Sequence, residues 1–107
     1  MITYHSATNP VNMLPGLIRH TLATSPKMML CEFTFEAGVR IPMHSHPHEQ
    51  VGYVVMGRVE ITIAGHTEIL TVGDSYCAPS DVPHSALTLE PTIIVDTFTP
   101  PREDYTK

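Results

Sequence analysis

Gly38-Val39-Arg40-Ile41-Pro42-Met43-His44-Ser45-His46-Pro47-His48-Glu49-Gln50-Val51-Gly52-Tyr53-Val54-Val55-Met56-Gly57 is the stretch that decides how this chain is read. A glycine closes each end, and three of the chain's seven histidines fall within five positions of its middle. His44 and His46 stand two apart, so on an extended segment their side chains share one face. Gln50 follows four residues after His46, past a break at Pro47, and keeps the even-numbered register. Such a cluster of nitrogen and oxygen donors marks where chemistry is expected.

Outward from this stretch the pattern is one of short strands. Met29, Cys31, Phe33 and Phe35 fall on one face of a strand, and Glu32, Thr34 and Glu36 on the other. Val59, Ile61 and Ile63 alternate in the same way with Arg58, Glu60 and Thr62. Further strands are expected at 17–23, 50–56, 67–71, 75–78, 84–89 and 92–99, with turns at Gly38, Gly57, Gly65, Gly73 and the Pro79–Pro83 segment. Ten prolines and six glycines leave no clean window for an amphipathic helix. Many short strands and tight turns define an all-β antiparallel barrel or jelly roll, because an isolated hairpin cannot bury its apolar face. Six to eight strands are expected. Residues 1–16 read as an N-terminal arm or edge strand, 28–99 as the barrel, and 100–107 as a tail over the surface.

At 107 residues the chain has room for one domain, 1–107, around one core. A net charge of −5, with only six Lys and Arg, provides no basic footprint for nucleic acid or anionic lipid. No run reaches the roughly 20 apolar residues needed to span a bilayer. The N-terminus Met1-Ile2-Thr3-Tyr4-His5 has no leader pattern, so a cytoplasmic location is expected. Cys31 and Cys77 can form at most one bridge, and both read as small core hydrophobes kept as thiols. Met29 and Met56 read as core filler. Tyr53 falls on the strand face opposite to Gln50, outward and suited to a dimer contact. His5, His20 and His66 carry no spacing signal.

A distant His84 follows Pro83 at the start of a later strand, where antiparallel pairing can bring it opposite the first histidines. Three imidazoles and one oxygen donor form a mixed site for one divalent transition metal: zinc, nickel, iron, manganese or copper. Such ligands must be neutral, so affinity should fall as pH drops towards about 6.

These residues resemble a family. Gly38, five residues, His44-Ser45-His46, three residues, Gln50, six residues and Gly57 resemble the first motif of the cupin superfamily. Gly73, five residues, Pro79 and then His84 resemble its second, with 15 residues between the two motifs. The resemblance implies an RmlC-like barrel with His44, His46, Gln50 and His84 as metal ligands. It also implies a homodimer that exchanges N-terminal strands. Three positions depart from the pattern: Gln50 stands where the family usually has Glu, Asp81 where it has Gly, and Thr88 where it has Asn. The neutral Gln50 leaves the metal's charge uncompensated, which favours Lewis-acid handling of an anion over stabilising Fe(III) or ferryl states.

A narrower resemblance adds Ile94-Val95-Asp96-Thr97-Phe98-Thr99-Pro100-Pro101-Arg102 to the histidine run. Together they look like the KdgF-type cupins of pectin and alginate breakdown, which linearise 4,5-unsaturated uronates into open-chain keto acids. That resemblance implies catalytic roles for Asp96, Phe98 and Arg102: proton transfer, an apolar surface for the pyranose, and bidentate capture of the sugar carboxylate. The expected partner is a small anionic sugar, and the expected activity a metal-dependent isomerase. Two other readings stand beside it: an iron- or copper-dependent dioxygenase with Gln50 incidental, and a non-catalytic metal or sugar-binding module. Asp96 and Arg102 can alternatively form a structural ion pair.

Overall fold

Alternation is cleanest in the strand at the centre of the molecule, Thr92–Thr99, which buries Thr92, Ile94, Asp96 and Phe98 and turns the intervening residues outward. In the computed structural model, which describes residues 1–106, this is the last of ten strands. They are β1 (Val11–Leu14), β2 (Leu17–Thr24), β3 (Met29–Phe35), β4 (Arg40–His44), β5 (Glu49–Met56), β6 (Arg58–Ile63), β7 (His66–Thr71), β8 (Ser75–Ala78), β9 (His84–Thr88) and β10 (Thr92–Thr99). Six form one antiparallel sheet in the order β1-β2-β3-β10-β5-β8, and four form a second in the order β4-β9-β6-β7. The count exceeds the six to eight expected because β1 and β4 are short and carry no strong alternation.

The two sheets face each other as a barrel. β3 contributes Met29, Cys31, Phe33 and Phe35 to the core, and Val54, Val59 and Ile61 close it from β5 and β6. Each fully buried side chain of this kind stabilises the fold by about 1.5–3 kcal/mol. Burial pushes the Cys31 thiol up to about 11, so it behaves as a small hydrophobe. Cys77 and Met56 do not share that role. Both are exposed, on the outer face of the larger sheet. Among the described residues no helix is long and apolar enough to cross a membrane.

Turn chemistry fixes the register. β6 and β7 are joined by Ala64 and Gly65, both at positive φ (51° and 78°), as a two-residue hairpin of matching twist requires. Thr88 in place of Asn is accommodated: its hydroxyl accepts from Val39 N (3.0 Å) and donates to Glu36 O (2.7 Å), locking the turn that leads into β4. At the C-terminal end, Tyr105 packs edge-on against Phe33 and Phe98, with centroids 6.1 and 5.6 Å apart. Thr21 Oγ1 donates to Tyr105 O (2.6 Å), so the tail is fastened across the barrel end. Lys107 lies outside the described residues.

Candidate metal centre and active site

β4 ends at His44 and β9 begins at His84, and antiparallel pairing sets these two residues directly opposite each other. Their ring centroids are 4.3 Å apart, and His46 lies 4.9 Å from His84. His46 is not on a strand, contrary to the two-residue argument that places it beside His44. It stands in the connection between β4 and β5, and its carbonyl accepts Asp81 N at 2.8 Å. Asp81 holds a φ of 62°, the left-handed region that explains the family's usual glycine and that Asp tolerates better than most residues.

All three imidazoles are oriented in the same way. Nδ1 of His44, His46 and His84 faces the carbonyl of Pro42, His48 and Val82 respectively, each at 2.9 Å. A carbonyl only accepts, so each Nδ1 carries the proton and each Nε2 presents a lone pair. Burial lowers the pKa of His46 and of His84, which keeps both rings neutral. Among the described residues His84 Nε2 is buried with no hydrogen-bond partner, and His46 Nε2 faces the Gln50 amide oxygen at 3.1 Å. Acceptor therefore meets acceptor. One donor atom from each of His44, His46 and His84 lies within 4.8 Å of the others. Converging neutral imidazoles with an amide oxygen beside them fit a divalent cation, and the backbone carbonyls behind the rings fix their aim.

Gln50 is oriented from its other end. Its Nε2 donates to the Tyr76 hydroxyl (3.4 Å), which donates to Asp96 Oδ1 (2.5 Å). Tyr76, Gly52 and Asp96 are register neighbours across β8, β5 and β10. A Cβ on Gly52 would strike both Tyr76 and Asp96, so glycine there makes room for their hydrogen bond. Burial pushes the Asp96 carboxyl up to about 6, against the opposing hydrogen bonds from Tyr76 and Gln50. Burial likewise holds the Tyr76 phenol well above its ordinary value, with the Asp96 charge adding to the effect. Sequence reading missed Tyr76; its one signal was a glycine inside an otherwise apolar strand.

Arg102 does not pair with Asp96. Its Nη2 and Nε bond Asp104 (3.0 and 3.3 Å), while the guanidinium stacks 4.0 Å from the Tyr105 ring centroid and 5.4 Å from that of Phe98. His44, Gln50, Tyr76, His84, Asp96, Phe98 and Arg102 all line one cavity of about 270 Å³. Its remaining wall is mostly apolar, including Leu17, Phe33, Ile41 and Ile61. The His46 ring lies 6.0 Å from that of Phe98, one of the lining residues.

A two-sheet antiparallel barrel with histidines gathered at one mouth is the arrangement of the cupins. Residues 31–98 match the cupin domain family, and the chain belongs to it. Within that family the chain is 34% identical over 92 residues to the pectin degradation protein KdgF of Dickeya dadantii, covering 84% of each chain. The structure of KdgF from Halomonas sp. superposes with a TM-score of 0.92 at 32% identity, over 97% of this chain and 96% of the other. An RmlC-like cupin from Shewanella frigidimarina superposes at 0.93 with 34% identity, over 97% and 94%.

Proposed function

We propose that this cupin is a metal-dependent isomerase that linearises 4,5-unsaturated uronates, such as those released by polysaccharide lyases from pectin or alginate. The similarity to proteins named KdgF supports the substrate class. The observation that carries the reading is chemical: a buried carboxylate bonded to a phenol lies beside a cluster of neutral lone pairs, in one cavity with an arginine. His44, His46, Gln50 and His84 would hold one divalent ion, which supplies Lewis acidity towards substrate oxygens.

The reaction moves one proton and consumes no co-reactant. Arg102 binds the sugar carboxylate through the guanidinium edge that Asp104 leaves open, while Phe98 and the apolar wall bound the ring. Asp96 takes the proton of the anomeric hydroxyl. The bond between C1 and the ring oxygen breaks, giving an aldehyde at C1 and an enolate at C5. Asp96 then delivers its proton to C4 as the enolate becomes a ketone. A carboxyl raised to about 6 suits both halves, since it takes and returns a proton close to neutral pH. Tyr76 holds that carboxylate in place and, through Gln50, links it to the histidine cluster.

Turnover in deuterated water followed by NMR tests this proton path. One deuteron on a single face of C4 is expected with the enzyme. Label spread over both faces, as in the uncatalysed opening, would contradict delivery by a fixed residue.

A further inference from the structure

We propose that His5, His20 and Glu32 form a second divalent-metal site that ties the N-terminal segment to the outside of the larger sheet. His20 and Glu32 are register partners across β2 and β3. Glu32 lies between Cys31 and Phe33, which point into the core, so both partners project from the opposite face of the sheet. The site is thus separated from the cavity by the thickness of that sheet. His5 arrives from a single-turn 3₁₀ helix, His5–Ala7, and completes the group.

Three features resemble the histidine cluster at the barrel mouth. One donor atom from each residue lies within the same 4.8 Å of the others. The His5 and His20 ring centroids are 4.3 Å apart, as are those of His44 and His84. The orientation is also supported from behind. Thr8 Oγ1 donates to His5 O (2.7 Å) and so accepts from His20 Nδ1 (2.7 Å), which leaves His20 Nε2 as a lone pair.

His5 Nε2 already meets Glu32 Oε1 at 2.8 Å, and a metal would replace the proton between them. Two imidazoles and a carboxylate form a donor set for zinc, with nickel or copper as competitors. Donors about 2.0–2.1 Å from a tetrahedral ion lie roughly 3.4 Å apart, a spacing that three atoms within 4.8 Å of one another reach by side-chain adjustment. The exposed His5 side chain is free to supply that movement.

The test is calorimetric titration of the untagged full chain with zinc, with cobalt absorption reporting coordination geometry. Wild type is expected to bind one equivalent more than His20→Ala, and Glu32→Gln to weaken that equivalent at least tenfold. His44→Ala should keep it. Equal stoichiometry and affinity in wild type, His20→Ala and Glu32→Gln would overturn the proposal. Because both substitutions lie on the outer sheet face, a matching unfolding midpoint without metal shows that they leave the fold intact.

Discussion

At Asp96 burial and hydrogen bonding pull in opposite directions, and burial wins: the carboxyl is raised from 3.8 to about 6. The folded state therefore holds this proton more tightly than the unfolded chain. The associated stability is complete below about pH 4 and is lost as pH rises through about 6. Asp96→Asn, a neutral isostere that still accepts from Tyr76, should escape this loss. Thermal unfolding should show the variant more stable than wild type at pH 7, on the order of 3 kcal/mol, with the gap closing near pH 4. The same substitution should lower kcat by about 10²–10⁴, the usual worth of a positioned proton donor. Tyr76→Phe removes only a positioning hydroxyl. Its kcat should fall about tenfold with KM little changed, and the pH profile should shift, which steady-state kinetics across pH 5–9 would read.

Among the elements, period-two alternation made β3 and β6 legible, because their inward residues are apolar and their outward ones mostly polar, whereas β10 buries Thr92 and Asp96 beside Ile94 and Phe98. It misled at β8 and at the end of β5. Val51, Tyr53 and Val55 cover the outer face of β5, and Cys77 pairs with Val51 beside them. Alternation reveals which residues share a face; where both faces are apolar it cannot say which is inside. His46 shows a related limit, since spacing alone does not reveal that the strand stops at His44 and that a loop supplies the second imidazole. His84 was readable because antiparallel pairing brings the start of one strand against the end of another. Tyr76 was not, since its partners come from two other strands. At the same scale, Thr88→Val should cost about 1–3 kcal/mol by stranding Val39 N and Glu36 O, as chemical denaturation would show.

For the whole molecule, a metal that binds only the folded chain adds stability by mass action. At a hundredfold excess over Kd this amounts to about 2.7 kcal/mol. In a domain of this length that corresponds to roughly 10–20 °C in Tm, so chelation should lower the melting temperature by about that much and zinc or nickel should restore it. Burial lowers the pKa of His46 and His84, so their stabilising neutrality is present above about pH 6.5 and fades as pH falls through their folded values. The metal-dependent gain in Tm should fade over that acid range. A gain that persists unchanged at pH 4.5 would show that imidazoles are not the ligands.

In the proposed reaction the Asp96 carboxylate and the histidine cluster together open an unsaturated uronate ring. The most direct measurement is loss of the conjugated enol absorbance of lyase-generated uronate, followed with metal-loaded wild type, with Asp96→Asn and without protein. Decay far above the spontaneous rate is expected with wild type, and a return towards that rate in Asp96→Asn at unchanged metal content. A wild-type rate equal to the spontaneous one, or an Asp96→Asn rate equal to wild type, would contradict it.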